Sequence, residues 1–251
     1  SFKIKELEEL MDVNEIVRII PTLKVNNRKL NERFYIETLG MKPLLEESAF
    51  LSLGDQTGTE RLILEEAPSM RTRRVEGLKK LARLLIKVEN PSEIEALLSQ
   101  MKSLPRLFKG SRGYAFEIVS PEEDVILVHA EDDIRDLVPL ETVPEFYSNT
   151  SIKYVSQFEV SMELRMPEGT ESLLDSEGVV PAITFTKGQG PDLAVENNVT
   201  WDLTMLKFLV RNFDLTSLRQ KFEKTGYFVP KSEKFFLGKD TNNIELWFEE
   251  A

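Results

Sequence analysis

Four stretches of the chain share one alternation of apolar and polar residues, and each predicts a strand, a helix and further strands. The clearest copy begins with the apolar run Leu84–Val88, which predicts a buried strand. Ser92–Leu98 follows with helical spacing after a turn at Glu89-Asn90-Pro91. Three predicted strands complete the copy, at Arg106–Lys109, Tyr114–Ser120 and Val125–His129. The unit is therefore β-α-β-β-β in roughly fifty residues, and we call it a module.

The first module precedes this one, and the linker between them is basic. Arg18–Val25 predicts its first strand, Asn26-Asn27 offers a helix cap, and Gly40 ends the helix. Its other strands are predicted at Lys42–Glu46, Ala49–Leu53 and Arg61–Glu65. The linker, Pro68–Gly77, carries Arg71, Arg73 and Arg74 and is interpreted as a solvated loop.

The third module is weakly patterned and the fourth is clear. Module three is predicted as a strand, a short helix and two strands, at Phe158–Met166, Glu168–Ser176, Ala182–Thr186 and Leu193–Glu196. Module four has a strand at Thr204–Val210 and a helix at Leu215–Glu223 capped by Asp214. Its remaining strands are predicted at Tyr227–Pro230, Lys234–Gly238 and Ile244–Glu249.

The segment Glu131–Ser156 contains prolines and acids without a sustained period, so we place the domain boundary there. The sequence thus predicts an α+β protein of four modules in two domains, residues 16–135 and 156–251. Which modules pair to form each sheet stays open.

Composition excludes several classes of function. The chain is 41% hydrophobic and 30% charged, with a net charge of -11, which argues against nucleic acid and anionic membranes as partners. No apolar run is long enough to span a membrane. Ser1–Leu10 is charged and lacks the apolar core of a signal peptide, so a cytoplasmic location is expected, with release from the cell only by an unconventional route. Whether Met11 is the natural start stays open.

The chain has no cysteine and a single histidine, His129. These two facts exclude thiolate nucleophiles, thiolate metal sites and zinc proteases of the His-Glu-x-x-His type. No Gly-x-Ser-x-Gly elbow presents a serine, and Asp55-Gln56-Thr57-Gly58 is a broken form of the aspartic-protease loop. Serine–lysine and serine–carboxylate chemistry stay open.

Two sets of motifs carry a family resemblance. The helix end Phe34-Tyr35…Leu39-Gly40-Met41 and the turn and strand Ser120–Leu127 resemble the vicinal oxygen chelate superfamily, which includes glyoxalase I. More narrowly, Arg18–Val25, Lys231–Asp240 and Glu245–Glu250 resemble the bacterial CppA family. That resemblance implies paired modules whose strands curl into a cup, and it carries the family label of a complement C3-degrading proteinase.

Strand alternation then separates an apolar face from a polar face that would line such a cup. In the first half the polar face is predicted to carry Thr22, Lys24, Arg83, Lys87 and His129. In the second half it is predicted to carry Ser161, Lys207, Glu245 and Trp247. His129 is interpreted first as an ordinary strand-end histidine that touches solvent. The alternative is that Arg83, Lys87 and His129 together hold a small anionic ligand.

The resemblance also implies positions for metal ligands, and this chain departs from them. In the first half these positions are occupied by Ile20, Arg83 and Leu127, which cannot donate to a cation. In the second half Glu245 is accompanied only by Ser161 and Met205. We therefore predict no metal and no other cofactor.

The hypothesis we prefer is a protein of this fold that binds a ligand or a partner without a metal. One alternative is a proteinase acting on complement C3, as the family label implies. Another is a metal-dependent lyase or dioxygenase that uses Glu245. Monomer and homodimer both stay open.

Overall fold

The structure is a computed structural model and describes residues 14–147, 151–175, 180 and 182–251. The N-terminal segment with Met11 and the end of the predicted helix at Ser176 lie outside the described residues. None of the described helices is long and apolar enough to cross a membrane.

The first module follows its prediction closely. Its strands are β1 (Glu15–Val25), β2 (Lys42–Glu47), β3 (Phe50–Gly54) and β4 (Glu60–Glu66). Helix α1 (Arg28–Glu32) starts where the Asn27 side chain accepts a hydrogen bond from the Leu30 N–H, and it continues as a π-helix over Arg33–Thr38. Gly40 then takes a positive φ of 69°, which ends the helical segment.

The second module is also confirmed element by element. Its first strand is β5 (Leu81–Val88), and its helix is α2 (Pro91–Gln100), with Asn90 as the cap and Pro91 at the first turn. The strands β6 (Arg106–Gly110), β7 (Gly113–Val119) and β8 (Val125–His129) follow. A short 3₁₀ helix (Ile134–Asp136) and the strand β9 (Val138–Pro139) complete this half.

The third module is shorter than predicted. It contributes β10 (Phe158–Pro167) and β11 (Ile183–Gly188). The predicted helix at Glu168–Ser176 is wrong over its described part, and the predicted strand at Leu193–Glu196 is also wrong, because both segments form turns. Carboxylates anchor these turns: Asp240 accepts a hydrogen bond from the Leu173 N–H at 2.9 Å, and Asp192 accepts two from the Arg73 guanidinium.

The fourth module matches its prediction. Its elements are β12 (Leu203–Arg211), α3 (Leu215–Lys221), β13 (Tyr227–Phe228), β14 (Phe235–Lys239) and β15 (Glu245–Glu250). The Asp214 side chain accepts a hydrogen bond from the Thr216 N–H, as expected for the cap of α3.

The strands form two sheets, and each sheet joins one module from each half of the chain. The first sheet has eight strands in the order β13-β14-β15-β12-β1-β4-β3-β2, so module one pairs with module four. The second has seven strands in the order β11-β10-β5-β8-β7-β6-β9, so module two pairs with module three. The central pairs, β1 with β12 and β5 with β10, are antiparallel. The two predicted domains therefore share both sheets.

The apolar faces of both sheets contribute to one core. Leu23 and Phe208 of the first sheet, and Ile86 and Val128 of the second, belong to the same buried cluster. Helical residues such as Tyr35, Leu97 and Leu218 pack into it as well. Helices thus cover the apolar faces, as predicted, and the polar faces of the two sheets are left for a site.

Candidate functional site

The nine residues singled out from the sequence fall on two separate sheets. Five lie on the first sheet, on the face that we call the first polar face: Thr22, Lys24, Lys207, Glu245 and Trp247. Four lie on the second sheet, on the second polar face: Arg83, Lys87, His129 and Ser161. The grouping by halves of the chain is corrected by the strand pairing, since Thr22 and Lys24 share a face with Glu245 and Ser161 does not.

A cavity of about 370 Å³ opens on the first polar face, and we call it the Glu245 cavity. The strand register brings Lys24 opposite Glu65, and Met205 opposite Glu245. Opposite residues on neighbouring strands have side chains on the same face. The other lining residues come from β3, β12, β14 and the loop before β12: Phe50, Glu196, Asn197, Asn198, Thr204 and Lys239.

The lysines of this cavity are already occupied. The Lys24 ammonium donates a hydrogen bond to the Asn197 carbonyl oxygen at 3.0 Å. The Lys239 ammonium pairs with the Glu196 carboxylate at 3.1 Å. Both contacts fix the loop that carries Glu196 and Asn197 against the sheet.

Unlike the two lysines, Glu65 and Glu245 have carboxylates without a bonded partner among the described residues. Within the described part of the chain, neither makes a hydrogen bond or an ion pair, although both line the cavity. Burial raises the pKa of Glu65, the Lys24 ammonium lowers it, and the negative charge of Glu245 raises it further. The positive charge of Lys24 therefore affects the pKa of Glu65 more strongly than the negative charge of Glu245 does.

Buried polar atoms without a partner are concentrated on the first polar face. Among the described residues six such side-chain atoms occur, and four of them lie on the first polar face or in the loop over it. They are Arg18 Nε, Thr22 Oγ1, Asn197 Oδ1 and Trp247 Nε1. A buried polar atom that lacks a partner costs about 1–3 kcal/mol, so their concentration here distinguishes this face from the rest of the molecule.

The outer part of the first polar face is aromatic and internally paired. The Trp247 ring stacks on the Phe235 ring, with centroids 3.8 Å apart. The Lys207 ammonium pairs with the Glu60 carboxylate at 2.6 Å. Lys207 and Trp247 therefore border the Glu245 cavity without lining it.

The second polar face holds a compensated set of charges. The Arg83 guanidinium makes a bidentate contact with the Glu163 carboxylate, at 3.1 and 2.7 Å, and approaches Glu117 at 3.5 Å. The Lys87 ammonium pairs with Asp132 at 2.9 Å. Each cation of the predicted anion site thus has a carboxylate partner, and an anionic ligand at this face stays a prediction.

His129 is buried at the edge of this face. Its Nδ1 accepts a hydrogen bond from the Glu131 N–H at 3.0 Å. Burial and, to a lesser degree, the nearby Lys87 ammonium lower the pKa of His129 to about 4. The imidazole is therefore neutral at pH 7, and within the described residues no serine or threonine hydroxyl is hydrogen-bonded to it. Proteolysis of complement C3 stays a prediction from the family label.

Asp55, from the broken aspartic-protease motif, connects two parts of the fold through its carboxylate. It is fully buried, pairs with Arg61 at 3.2 Å and accepts a hydrogen bond from the Phe158 N–H at 3.1 Å. Its carboxylate thus links the turn before β4 to the start of β10.

The positions implied for metal ligands do not form a donor set. Ile20 lies opposite Lys207 on the first sheet, and Leu127 lies opposite Leu85 on the second. Glu245 and Met205 share the first polar face, but Ser161 lies on the other sheet. In the part of the chain that the structure describes, no group of three or more histidine or carboxylate side chains is placed to hold a metal ion. The residues present therefore do not fit the metal that the fold implies.

Sequence reasoning missed Glu65 and Asn197. Glu65 ends a correctly predicted strand, but its face follows only from the register of β4 against β1. Asn197 follows a segment that was predicted as a strand. The hydrogen bond from Lys24 to the Asn197 carbonyl oxygen places this loop at the wall of the cavity, and no sequence pattern predicts that contact.

Comparison with solved structures defines the class of fold. Two structures of mutant glyoxalase I from Zea mays align with TM-scores of 0.54 and 0.53, at 12% and 11% identity. The alignments cover 97% and 95% of this chain, and 96% and 94% of theirs. The fold is therefore the glyoxalase, or vicinal oxygen chelate, fold.

The family follows from closer matches. The family models CppA N-terminal and CppA C-terminal match residues 18–140 and 155–248. The crystal structure of the cppA protein from Streptococcus pneumoniae TIGR4 is 67% identical, with a TM-score of 0.93, over 95% of this chain and 100% of that one. Among curated proteins no sequence matches. The chain belongs to the CppA family.

Proposed function

We propose that this chain is a binding protein whose Glu245 cavity holds a small polar ligand without a metal. The observation that carries the proposal is the coincidence of a cavity of about 370 Å³ with acceptors that have no donor in the described chain, on Glu65, Glu245 and Asn197. A ligand that supplies donors would offset the cost of burying these groups.

The residues at the metal-ligand positions support binding without a metal. Met205 lies opposite Glu245, where a metal site would need a second hard donor, and Ile20 on the same face cannot donate to a cation. Elemental analysis of the repurified protein, before and after incubation with zinc, manganese and iron salts, is expected to find less than stoichiometric metal. One equivalent of a retained metal would contradict the proposal.

The location of the site can be tested with a variant that fills the cavity. Met205→Trp places a larger side chain on the cavity wall, whereas Ser161→Trp makes the matched change on the second polar face. A panel of amino acids, amines, dicarboxylates and sugars is screened by thermal unfolding, because a ligand at 100 times its Kd stabilises the folded state by about 2.7 kcal/mol. We expect at least one compound to raise the Tm of the wild type and of Ser161→Trp but not of Met205→Trp. The proposal fails if the Tm responses do not depend on Met205.

A further inference from the structure

We infer that the ligand of the Glu245 cavity carries a cationic nitrogen, an ammonium or guanidinium group, held between the carboxylates of Glu65 and Glu245. This inference rests on the proposed function and names the chemical class of the ligand.

The first argument is the balance of charge in the cavity. Three carboxylates line it, those of Glu65, Glu196 and Glu245, against the two ammonium groups of Lys24 and Lys239. Lys239 is paired with Glu196, and Lys24 is bonded to a backbone carbonyl oxygen. Lys24 lies opposite Glu65 and its charge acts on that carboxylate, but among the described residues no ion pair joins the two, and the cavity keeps an excess of one negative charge. A ligand cation in the cavity would balance this excess.

The second argument is the type of hydrogen-bonding atom that lacks a partner. Asn197 Oδ1 is an acceptor, buried and unpartnered, in a residue that lines the cavity. Thr22 is fully buried with an unpartnered Oγ1, and it lies on the cavity side of β1, opposite Met205 and two residues before Lys24. The Thr22 hydroxyl can donate as well as accept, whereas Asn197 Oδ1 and the two carboxylates can only accept hydrogen bonds. An ammonium or guanidinium group brings several N–H donors at one point.

The third argument is the apolar part of the wall. Phe50 lies opposite Glu65, and Met205 lies opposite Glu245, so each carboxylate has an apolar neighbour. A cation next to an aromatic ring gains a further favourable contact, and the methylene groups of an alkylamine would pack on Met205. The cavity therefore fits a short aliphatic amine or guanidine better than a bare metal ion.

The inference is tested by isothermal titration with four compounds built on a four-carbon chain: agmatine, putrescine, 1,4-butanediol and succinate. We expect agmatine or putrescine to bind, and the neutral diol and the dianion to bind at least tenfold more weakly, because charge-assisted hydrogen bonds are roughly twice as strong as neutral ones. If the diol or succinate binds more tightly than both amines, and if Met205→Trp abolishes that binding, the inference of a cationic ligand is overturned. The proposed function would remain intact. Failure of both amines to bind at millimolar concentration would also overturn it.

Matched variants locate the cation. Glu65→Gln and Glu245→Gln each remove one carboxylate of the pair, and we expect each to weaken amine binding by about tenfold or more. Glu249→Gln makes the same change in net charge on the same strand and face but outside the cavity, so its affinity should stay within about twofold of the wild type. Equal losses in all three variants would show that net charge alone attracts the amine, and would overturn the inference.

The pH dependence gives a second readout. The groups that face Glu65 are Lys24 on β1, Glu245 on β15 and the uncharged Phe50 on β3, with Lys239 and Glu196 at the cavity rim. Burial raises the pKa of Glu65 above its ordinary 4.5, so protonation removes its charge at a higher pH than for an exposed glutamate. Amine affinity in the wild type should fall as the pH is lowered towards that range, and the fall should be smaller in Glu65→Gln. An identical pH profile in both proteins would count against Glu65 as a ligand-binding group.

Discussion

At the scale of single residues, His129 shows how burial sets a protonation state. Its pKa of about 4 in the folded protein lies below the 6.5 expected when the chain is unfolded. Between these values the unfolded chain takes up a proton that the folded chain does not. Stability linked to His129 is therefore present above pH 6.5 and is lost as the pH falls towards 4.

This linkage predicts a difference between the wild type and His129→Gln. Each pKa unit corresponds to about 1.4 kcal/mol, so the wild type should lose ~2–3 kcal/mol more than the variant between pH 7 and pH 4.5. Urea unfolding at a series of pH values measures both curves. Parallel curves would mean that His129 takes up a proton as readily in the folded protein as in the unfolded chain, and would contradict the prediction.

The candidate site was predicted from the sequence only in part, and the reason lies in the register of the strands. Thr22, Lys24 and Glu245 were found because alternation along a single strand separates the two faces. Glu65 was missed because its face depends on which residue of β1 lies opposite it. Glu65 and Glu245 are 180 positions apart in the sequence, so no local pattern indicates that they line the same cavity.

At the scale of elements, modules one, two and four were predicted because each helix carries its own cap and each strand its own alternation. Asn27 and Asp214, both predicted as caps, accept a hydrogen bond from the first turn of their helices, and Asn90 does the same for α2. Module three differs because its polar segments are fixed by distant partners. Asp192 accepts hydrogen bonds from Arg73 and from the Glu76 N–H, more than a hundred residues away. Tertiary contacts of this kind override local propensity.

Gly40 lies where the end of the first helical segment packs closely against Leu97 of α2 and Val155. Its φ is 69°, and a Cβ added there would lie 3.1 Å from Leu97 Cδ2 and 3.2 Å from Val155 Cγ2. Gly58 has a similar φ of 76° but nothing within 4 Å of the added Cβ. The two glycines thus share the backbone strain and differ in crowding.

We expect Gly40→Ala to destabilise the protein by about 1–3 kcal/mol more than Gly58→Ala. The backbone cost is common to both variants, so the difference reports the contact of the first module with Leu97 of α2. Urea unfolding of the two variants beside the wild type gives this difference. Equal losses of unfolding free energy in the two variants would show that Leu97 and Val155 move aside at little cost.

At the scale of the whole molecule, the repeat was visible in the sequence, but the pairing of its copies was not. All four modules have similar first strands, so alternation along the chain fits several pairings equally well. The pairing observed here, one with four and two with three, requires β1 to meet β12 and β5 to meet β10. Both contacts join residues from different halves of the chain.

This pairing predicts that the two halves do not fold independently. Without residues 151–251, β1 and β5 lose their central partners and become exposed edges, which favour aggregation. We expect the fragment 14–147 alone to lack cooperative unfolding and to elute as aggregate in size-exclusion chromatography. Refolding it together with the fragment 151–251 should restore a one-to-one complex with the circular dichroism spectrum of the intact chain.

An intact chain cut after folding, between residues 147 and 151, serves as the control, because it keeps both sheets while losing chain continuity. It should remain associated and unfold cooperatively. A monomeric fragment 14–147 with its own cooperative transition would instead favour two independent domains at 16–135 and 156–251. In that case the Glu245 cavity would form by docking of two folded halves, because Lys24 and Glu65 belong to one fragment and Met205 and Glu245 to the other. The fragment experiment therefore also tests how the Glu245 cavity is assembled.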